Sequence, residues 1–231
     1  MSFLSRAIAI DGPAASGKSA LAEQLAARLN YFYLDTGLMY RAVTNQALAR
    51  AIPIQDEQAV TQLAESMRIN ALPPADGVSY SFSVTVDGHD VSAQLHRPEV
   101  DRNVSVVSAY AGVRRAMTAQ QQRIAERGCI IMAGRDIGTV VLPNADCKIF
   151  LTASVEARAR RRMADRLARG QQVTWAQMRD EILQRDAIDS SRSVAPLRAA
   201  ADAIYLDNSA LTLAETVTRA LEIIRARCGM E

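Results

Sequence analysis

Histidine is almost absent from this chain, and lysine nearly so. His89 and His96 are the only two histidines in 231 residues, which leaves little for a catalytic triad or a His-ligated metal centre. Both are read as surface residues near a hairpin. Cys129, Cys147 and Cys228 are odd in number and widely spaced, so neither a disulfide framework nor a zinc site is indicated; a reduced, cytoplasmic protein is expected. No apolar run reaches the roughly 18 residues of a membrane span, and the N-terminal one, bracketed by Arg6 and Asp11, is too short for a signal core. A formal net charge of +2 implies neither a nucleic-acid nor a membrane partner. Aromatic residues make up 5% of the chain, and none interrupts Arg158 to Arg169, so the stacking platform of an RNA-binding module is missing. Of 27 basic residues only Lys18 and Lys148 are lysines. Either arginine-rich codon usage or phosphate handling by forked guanidinium groups explains that bias.

What is present organises itself around Gly12-Pro13-Ala14-Ala15-Ser16-Gly17-Lys18-Ser19. This stretch satisfies G-x-x-x-x-G-K-[ST], a loop whose backbone N–H groups wrap around phosphate. Gly12 and Gly17 permit backbone angles that a side chain would resist. Lys18 supplies a point charge for the β- and γ-phosphates, and the Ser19 hydroxyl is a candidate Mg²⁺ ligand. The context agrees. Ala7-Ile8-Ala9-Ile10-Asp11 reads as a buried parallel strand, and Leu21, Leu25 and Leu29 form the stripe of a following amphipathic helix.

Further along, Tyr31 to Leu34 reads as a second strand ending at Asp35, and Asp35-Thr36-Gly37 opens a helix toward Pro53. Thr36 is either that helix's cap or a hydroxyl aimed at a ligand, and Arg41 is either solvated or part of the same site. Between about Met67 and Val104 the pattern changes. Tyr80, Phe82, Val84 and Val86 alternate with serine and threonine, and Asp87-Gly88 is a hairpin turn, so a small antiparallel sheet is expected. A helix from Val113 to Glu126 carries Arg114 and Arg115. Cys129 to Ala133 is a third strand ending in Gly134-Arg135-Asp136-Ile137-Gly138-Thr139, where an open parallel sheet places ligands; a structural ion pair is the alternative. Lys148 to Leu151 is a fourth strand. The arginine-rich helix after it is either a solvated face or a flap whose Arg158 and Arg162, one turn apart, meet phosphate charge. Thr174 caps the next helix, which leads to Arg185, Asp189 and Arg192. Ala203 to Leu206 makes a last strand and Leu213 to Arg227 a closing helix. The expected fold is therefore α/β, a P-loop kinase core with a parallel sheet of about five strands flanked by helices. A GTPase is disfavoured, because no N-K-x-D stretch occurs.

Ile10-Asp11-Gly12-Pro13, Leu34-Asp35-Thr36-Gly37 with Tyr40-Arg41, Ala133 to Val141, and Arg192 with Val194-Ala195-Pro196-Leu197 together resemble the bacterial cytidylate kinase family. The resemblance spans nearly the whole chain, inserted sheet included. It implies Mg²⁺-dependent transfer of the ATP γ-phosphoryl group to CMP or dCMP. It also implies one nucleoside monophosphate kinase domain over 1–231, with residues 36–110 as the acceptor-binding region, 154–172 as an arginine-rich lid, and the remainder as core. Gly12 through Ser19 would bind ATP, with Ser19 toward the metal, and Lys18, Arg158, Arg162 and Arg192 would serve catalysis. Thr36, Arg41, Arg135 and Arg192 would hold the acceptor phosphate. Ser105, Arg114 and Asp136 would read the cytosine edge, and Asp189, oriented by Arg185, would hold the ribose. Two positions depart from the family pattern: Thr36 replaces a common serine, and Ile188 stands where many members carry arginine. A monomer acting on free nucleotides is expected. The alternatives are a kinase for UMP or AMP, though adenylate kinase's D-G-[FY]-P-R stretch is absent, and a nucleotide-binding protein without turnover.

Overall fold

A computed structural model describes residues 6–72, 83–168 and 170–229. In chain order the elements are β1 (Ala7–Asp11), α1 (Lys18–Leu29), β2 (Phe32–Asp35), α2 (Thr36–Ala49), α3 (Glu57–Ser66), β3 (Ile69–Leu72), β4 (Ser83–Val86), β5 (His89–Asp90), α4 (Pro98–Val107) and α5 (Ala111–Ala125). There follow β6 (Ile130–Gly134), β7 (Cys147–Thr152), α6 (Val155–Ala168), α7 (Trp175–Ser191), β8 (Ile204–Asp207) and α8 (Leu213–Cys228).

Five strands form one parallel sheet in the order β2-β6-β1-β7-β8. The central strand β1 is buried on both faces, as its continuous apolar run requires. Ile8 and Ile10 point into a core shared with Leu21 and Leu25 of α1 and Val217 and Ile224 of α8. Ala9 points the other way, into a core with Met39 and Val43 of α2 and Met117 and Ile124 of α5. Each face thus acquires its own helical layer. Register brings the carboxyl ends of the strands level: Asp11 lies opposite Gly134 and Phe150, and Asp35 opposite Ala133. Everything chemically interesting after β1, β2 and β6 consequently emerges at one edge.

The second sheet is antiparallel, β3-β4-β5. Asp87 (φ 51°) and Gly88 (φ 85°) form its hairpin turn with both central angles positive, as the Asp-Gly pair predicts. The expected alternation from Ser79 is only partly testable, since Tyr80 and Phe82 lie outside the described residues, as does Arg169. In β4 itself Val84, Thr85 and Val86 are all buried, so the strand is covered on both faces and not half-buried. Val84 and Val86 join the same core as α2 and α5. The two capped helices late in the chain are legible locally: Thr174 with Gln177, and Thr212 with Glu215, each form a reciprocal capping box.

Candidate active site

The phosphate loop follows β1 and ends at Gly17 (φ 93°), which caps α1. At Gly12 a Cβ would come within 2.0 Å of the Leu151 carbonyl oxygen, so only glycine lets the loop cross β7 there. Lys18 begins α1 and is buried; its Nζ donates to the Pro13 carbonyl (2.7 Å) and to Ser16 Oγ (3.3 Å). Burial and then the neighbouring Arg135 push its pKa well below the usual lysine range, and an anion beside it would favour the charged form. Ser19 Oγ donates to Asp35 Oδ2 at 2.8 Å. That hydroxyl and carboxylate are a pair of hard oxygen donors, suited to Mg²⁺ when phosphate oxygens complete the shell. Among the described residues no cluster of three or more His, Cys, Asp or Glu could hold a metal without such help.

Thr36 is not the cap of α2. Asp35 takes that role, its Oδ1 accepting from the Gly37 N–H at 2.9 Å, while the buried Thr36 hydroxyl donates to the Ala133 carbonyl at 2.9 Å. The reason is register, since β2 and β6 run side by side and bring Ala133 against the start of α2. Arg41, one turn later, donates to the Leu95 carbonyl (2.9 Å) and pairs with Asp101 of α4 (2.6 Å). Asp101 also reaches Arg166 of α6 at 3.6 Å. These groups, with Ser19, Asp35, Arg162 and Asp165, line a cleft of about 200 Å³ between α2 and α6. His96, expected near the hairpin, lines this cleft too.

Beside it lies a chain of paired charges. Arg135 Nε donates to Asp189 Oδ2 at 2.8 Å, and Arg192 Nη2 bonds Asp189 Oδ1 and reaches Ser108 Oγ at 3.3 Å. Arg114 Nη1 donates to the Ser108 carbonyl (3.0 Å), its Nη2 lies 2.6 Å from Asp136 Oδ2, and its guanidinium sits 5.3 Å from the Tyr40 ring centroid. Burial alone would raise the Asp189 pKa, but Arg135, Arg192 and Arg185 together hold it below the usual carboxylate range. No hydrogen bond joins Arg185 to Asp189, so Arg135 and Arg192, not Arg185, orient that carboxylate. Burial, then Arg135, lowers the Arg185 pKa to about 10, and its buried Nε has no partner among the described residues. The Ser105 carbonyl accepts from the Ser108 hydroxyl (3.1 Å); Ser108 is the serine that touches both Arg114 and Arg192.

Arg158 and Arg162 part company, although one turn separates them. Arg158 is buried and committed to the Ala153 and Ala14 carbonyls (3.0 and 3.1 Å) and to Asp186 (2.6 Å). Its Nε and Nη1 are thus occupied by groups of the protein itself. Its position at the start of α6 packs it under the loop, while Arg162 opens onto the cleft. Arg161, which the spacing argument passed over, bonds Ser16 and Asn208. Ile188 is 41% exposed on α7, so no guanidinium is supplied there. Asp11 accepts the Ile137 and Gly138 N–H groups at 2.8 and 2.7 Å, and burial raises its pKa to about 6.

Of the residues that sequence reasoning missed, Asp35 carried a signal, an acid at a strand end before a helix. Asp101, Ser108, Arg161, Asp186 and Asn208 carried none, because each has a partner 28 to 192 residues away. Among the described residues no helix is long and apolar enough to cross a membrane.

The sequence matches the family described as Cytidylate kinase over residues 8–226. It is 48% identical over 222 residues to the cytidylate kinase of Geobacillus kaustophilus, covering 96% of this chain and 97% of that one. It is 44% identical over 220 residues to that of Enterococcus faecalis, covering 95% and 96%. A crystal structure of an uncharacterized protein from Eubacterium ventriosum, 12% identical, superposes with a TM-score of 0.50 over 96% of this chain and 99% of that one, a likeness of fold alone.

Proposed function

The chain belongs to the cytidylate kinase family, and we propose from that premise that it transfers the γ-phosphoryl group of ATP to CMP or dCMP. The observation that carries the choice of base is the Arg114–Asp136 pair. It is buried, Arg114 Nη2 lies 2.6 Å from Asp136 Oδ2, and Arg114 Nε has no hydrogen-bond partner among the described residues. An acceptor set beside donors complements the amino group and ring nitrogen of cytosine. Uracil presents the reverse pattern at those atoms and would leave the buried groups unpaired.

In this reading Arg41 and Arg135 hold the acceptor phosphate, with Arg192 beside them. Asp189 accepts from the ribose hydroxyls. Arg114 and Asp136 read the base, with Ser108 and Ser105 at its margin. Thr36 supports the site by fixing α2 to β6, its hydroxyl being engaged with Ala133. Residues Gly12 to Ser19 cradle the donor phosphates. Ser19 and Asp35 would hold Mg²⁺, which would supply positive charge to screen the donor phosphates. The acceptor phosphate is itself an anionic nucleophile, so no residue needs to remove a proton from it. Lys18, Arg162 and Arg135 stabilise charge on the transferring group, and the enzyme's contribution is positioning and electrostatics. Free nucleotides as substrates fit a cytoplasmic monomer.

The test is ADP release from ATP·Mg²⁺ with CMP, dCMP, UMP and AMP offered separately. Turnover with both cytidine nucleotides and little with AMP is expected. A preference for UMP or AMP would overturn the roles of Arg114 and Asp136, and binding of ATP without turnover would overturn the kinase reading.

A further inference from the structure

Ala15 lies in the middle of the phosphate loop with φ at 56°, in the left-handed region. A residue with a Cβ resists that conformation by about 1 kcal/mol or more, and it persists only where its surroundings over-determine it. A peptide group before Ala15 and the one after Ser16 are held from outside the loop. The Ala14 carbonyl accepts from Arg158 Nη1 (3.1 Å), and the Ala14 N–H donates to Asp186 Oδ1 (3.3 Å); Arg158 and Asp186 are themselves paired at 2.6 Å. The Ser16 carbonyl accepts from Asn208 Nδ2 (3.0 Å) and Arg161 Nη1 (3.3 Å). Arg161 is in turn locked to the Asn208 side chain (3.0 Å) and carbonyl (2.7 Å). These four residues come from α6, from α7 and from the turn after β8.

The direction of these bonds matters. In a planar trans peptide the carbonyl and the next N–H point to opposite sides. Drawing the Ala14 carbonyl toward Arg158 turns the Ala15 N–H away from it, and drawing the Ser16 carbonyl toward Asn208 does the same for the Gly17 N–H. Among the described residues neither of those N–H groups has a hydrogen-bond partner. Unpaired, inward-turned N–H groups are what an anion-binding loop offers its ligand.

We propose that Arg158, Asp186, Arg161 and Asn208 are positioning residues for phosphoryl transfer: they pin the peptides that join Ala14 to Ala15 and Ser16 to Gly17 and so aim the Ala15 and Gly17 N–H groups at the donor phosphates. This rests on the reading of Gly12 to Ser19 as the ATP cradle. Arg158 and Arg161 thus act on ATP through the loop without touching it.

The test is a double-mutant cycle read by calorimetric titration of ATP·Mg²⁺ and, separately, of CMP. Asp186→Asn and Asn208→Ala are each made alone and together with Ala15→Gly. Each single strut replacement is expected to weaken ATP·Mg²⁺ binding about tenfold, the size of one released backbone strain, with CMP affinity held within about twofold. In the Ala15→Gly background the same replacement is expected to cost less than about threefold, because glycine enters the left-handed region with little penalty. Equal losses in both backgrounds, or a loss of CMP affinity as large as that of ATP, would overturn the proposal. Should Asp186→Asn fail to fold because Arg158 is left buried without its partner, Asn208→Ala leaves no buried charge uncompensated and decides alone. Donor binding is the readout, so the result is independent of which acceptor the enzyme phosphorylates.

Discussion

The donor and acceptor halves of this site are held in opposite ways. Around the phosphate loop, Arg158 and Arg161 are engaged with backbone carbonyls and neighbouring side chains, and the loop's shape is set before any ligand arrives. Around the acceptor cleft, Arg41, Arg114, Arg135 and Arg192 are paired with Asp101, Asp136 and Asp189, carboxylates of the protein itself. The first arrangement shapes neutral N–H donors. The second keeps a cluster of cations from repelling one another, and it must be rearranged in part when an anionic substrate enters. A preformed cradle and a self-neutralised pocket therefore solve the same problem, phosphate recognition, with different expected responses to mutation.

The largest effect is expected from the donor half. Lys18→Ala should lower kcat by about a thousandfold with the melting temperature little changed, because the charge is lost and the loop's external struts remain. A variant within threefold of wild type would falsify the assignment of that charge to transition-state stabilisation. In the acceptor half, Asp136→Asn should lower kcat/KM for CMP by about a hundredfold while that for UMP changes far less, since the amide can satisfy uracil's pattern. Parallel losses for both bases would show that Asp136 supports the site without reading the base. Asp101→Asn is expected to act in the other direction: freed of its competing carboxylate, Arg41 should bind acceptor phosphate about threefold more tightly, with kcat unaltered. A raised KM would mean that Asp101 positions Arg41 and does not compete for it.

The smallest effect lies at the seam between the halves. Asp11 ends the donor strand and accepts both N–H groups of the acceptor-side turn. Its folded pKa of about 6 stands above the ordinary aspartate value of 3.8. The stability it contributes is thus complete below about pH 4 and is lost as pH rises through about 6. Asp11→Asn cannot titrate, so the difference in melting temperature, variant minus wild type, should grow by a few degrees between pH 4 and pH 7. A difference that is flat across that window would place the Asp11 pKa near its ordinary value.

Legibility in the sequence follows the distance over which each feature is encoded. The phosphate loop, the hairpin at Asp87-Gly88 and the cap at Thr174 are local, and each was read correctly within a residue or two. Arg135, Asp136, Asp189 and Arg192 were identifiable through resemblance, and the structure brings them together with Arg114. The contacts of other candidates were less legible: Thr36 bonds Ala133 of β6, Asp35 caps α2, and Arg158 bonds the Ala14 carbonyl of the loop. In each case the deciding partner lies on another strand or helix.

By itself the sequence determined the class of chemistry, because a glycine-bracketed loop followed by Lys18 and Ser19 encodes phosphate binding in consecutive residues whose backbone freedom and charge need no distant partner. It also determined the parallel sheet, through short apolar runs such as Ala7 to Asp11 that only burial on both faces can accommodate. Tertiary structure alone decided which arginines are free to meet substrate. A guanidinium has five donors and joins whatever acceptor the fold presents: for Arg158 that was a loop carbonyl 144 residues away, and for Arg162, one turn further on, an open cleft.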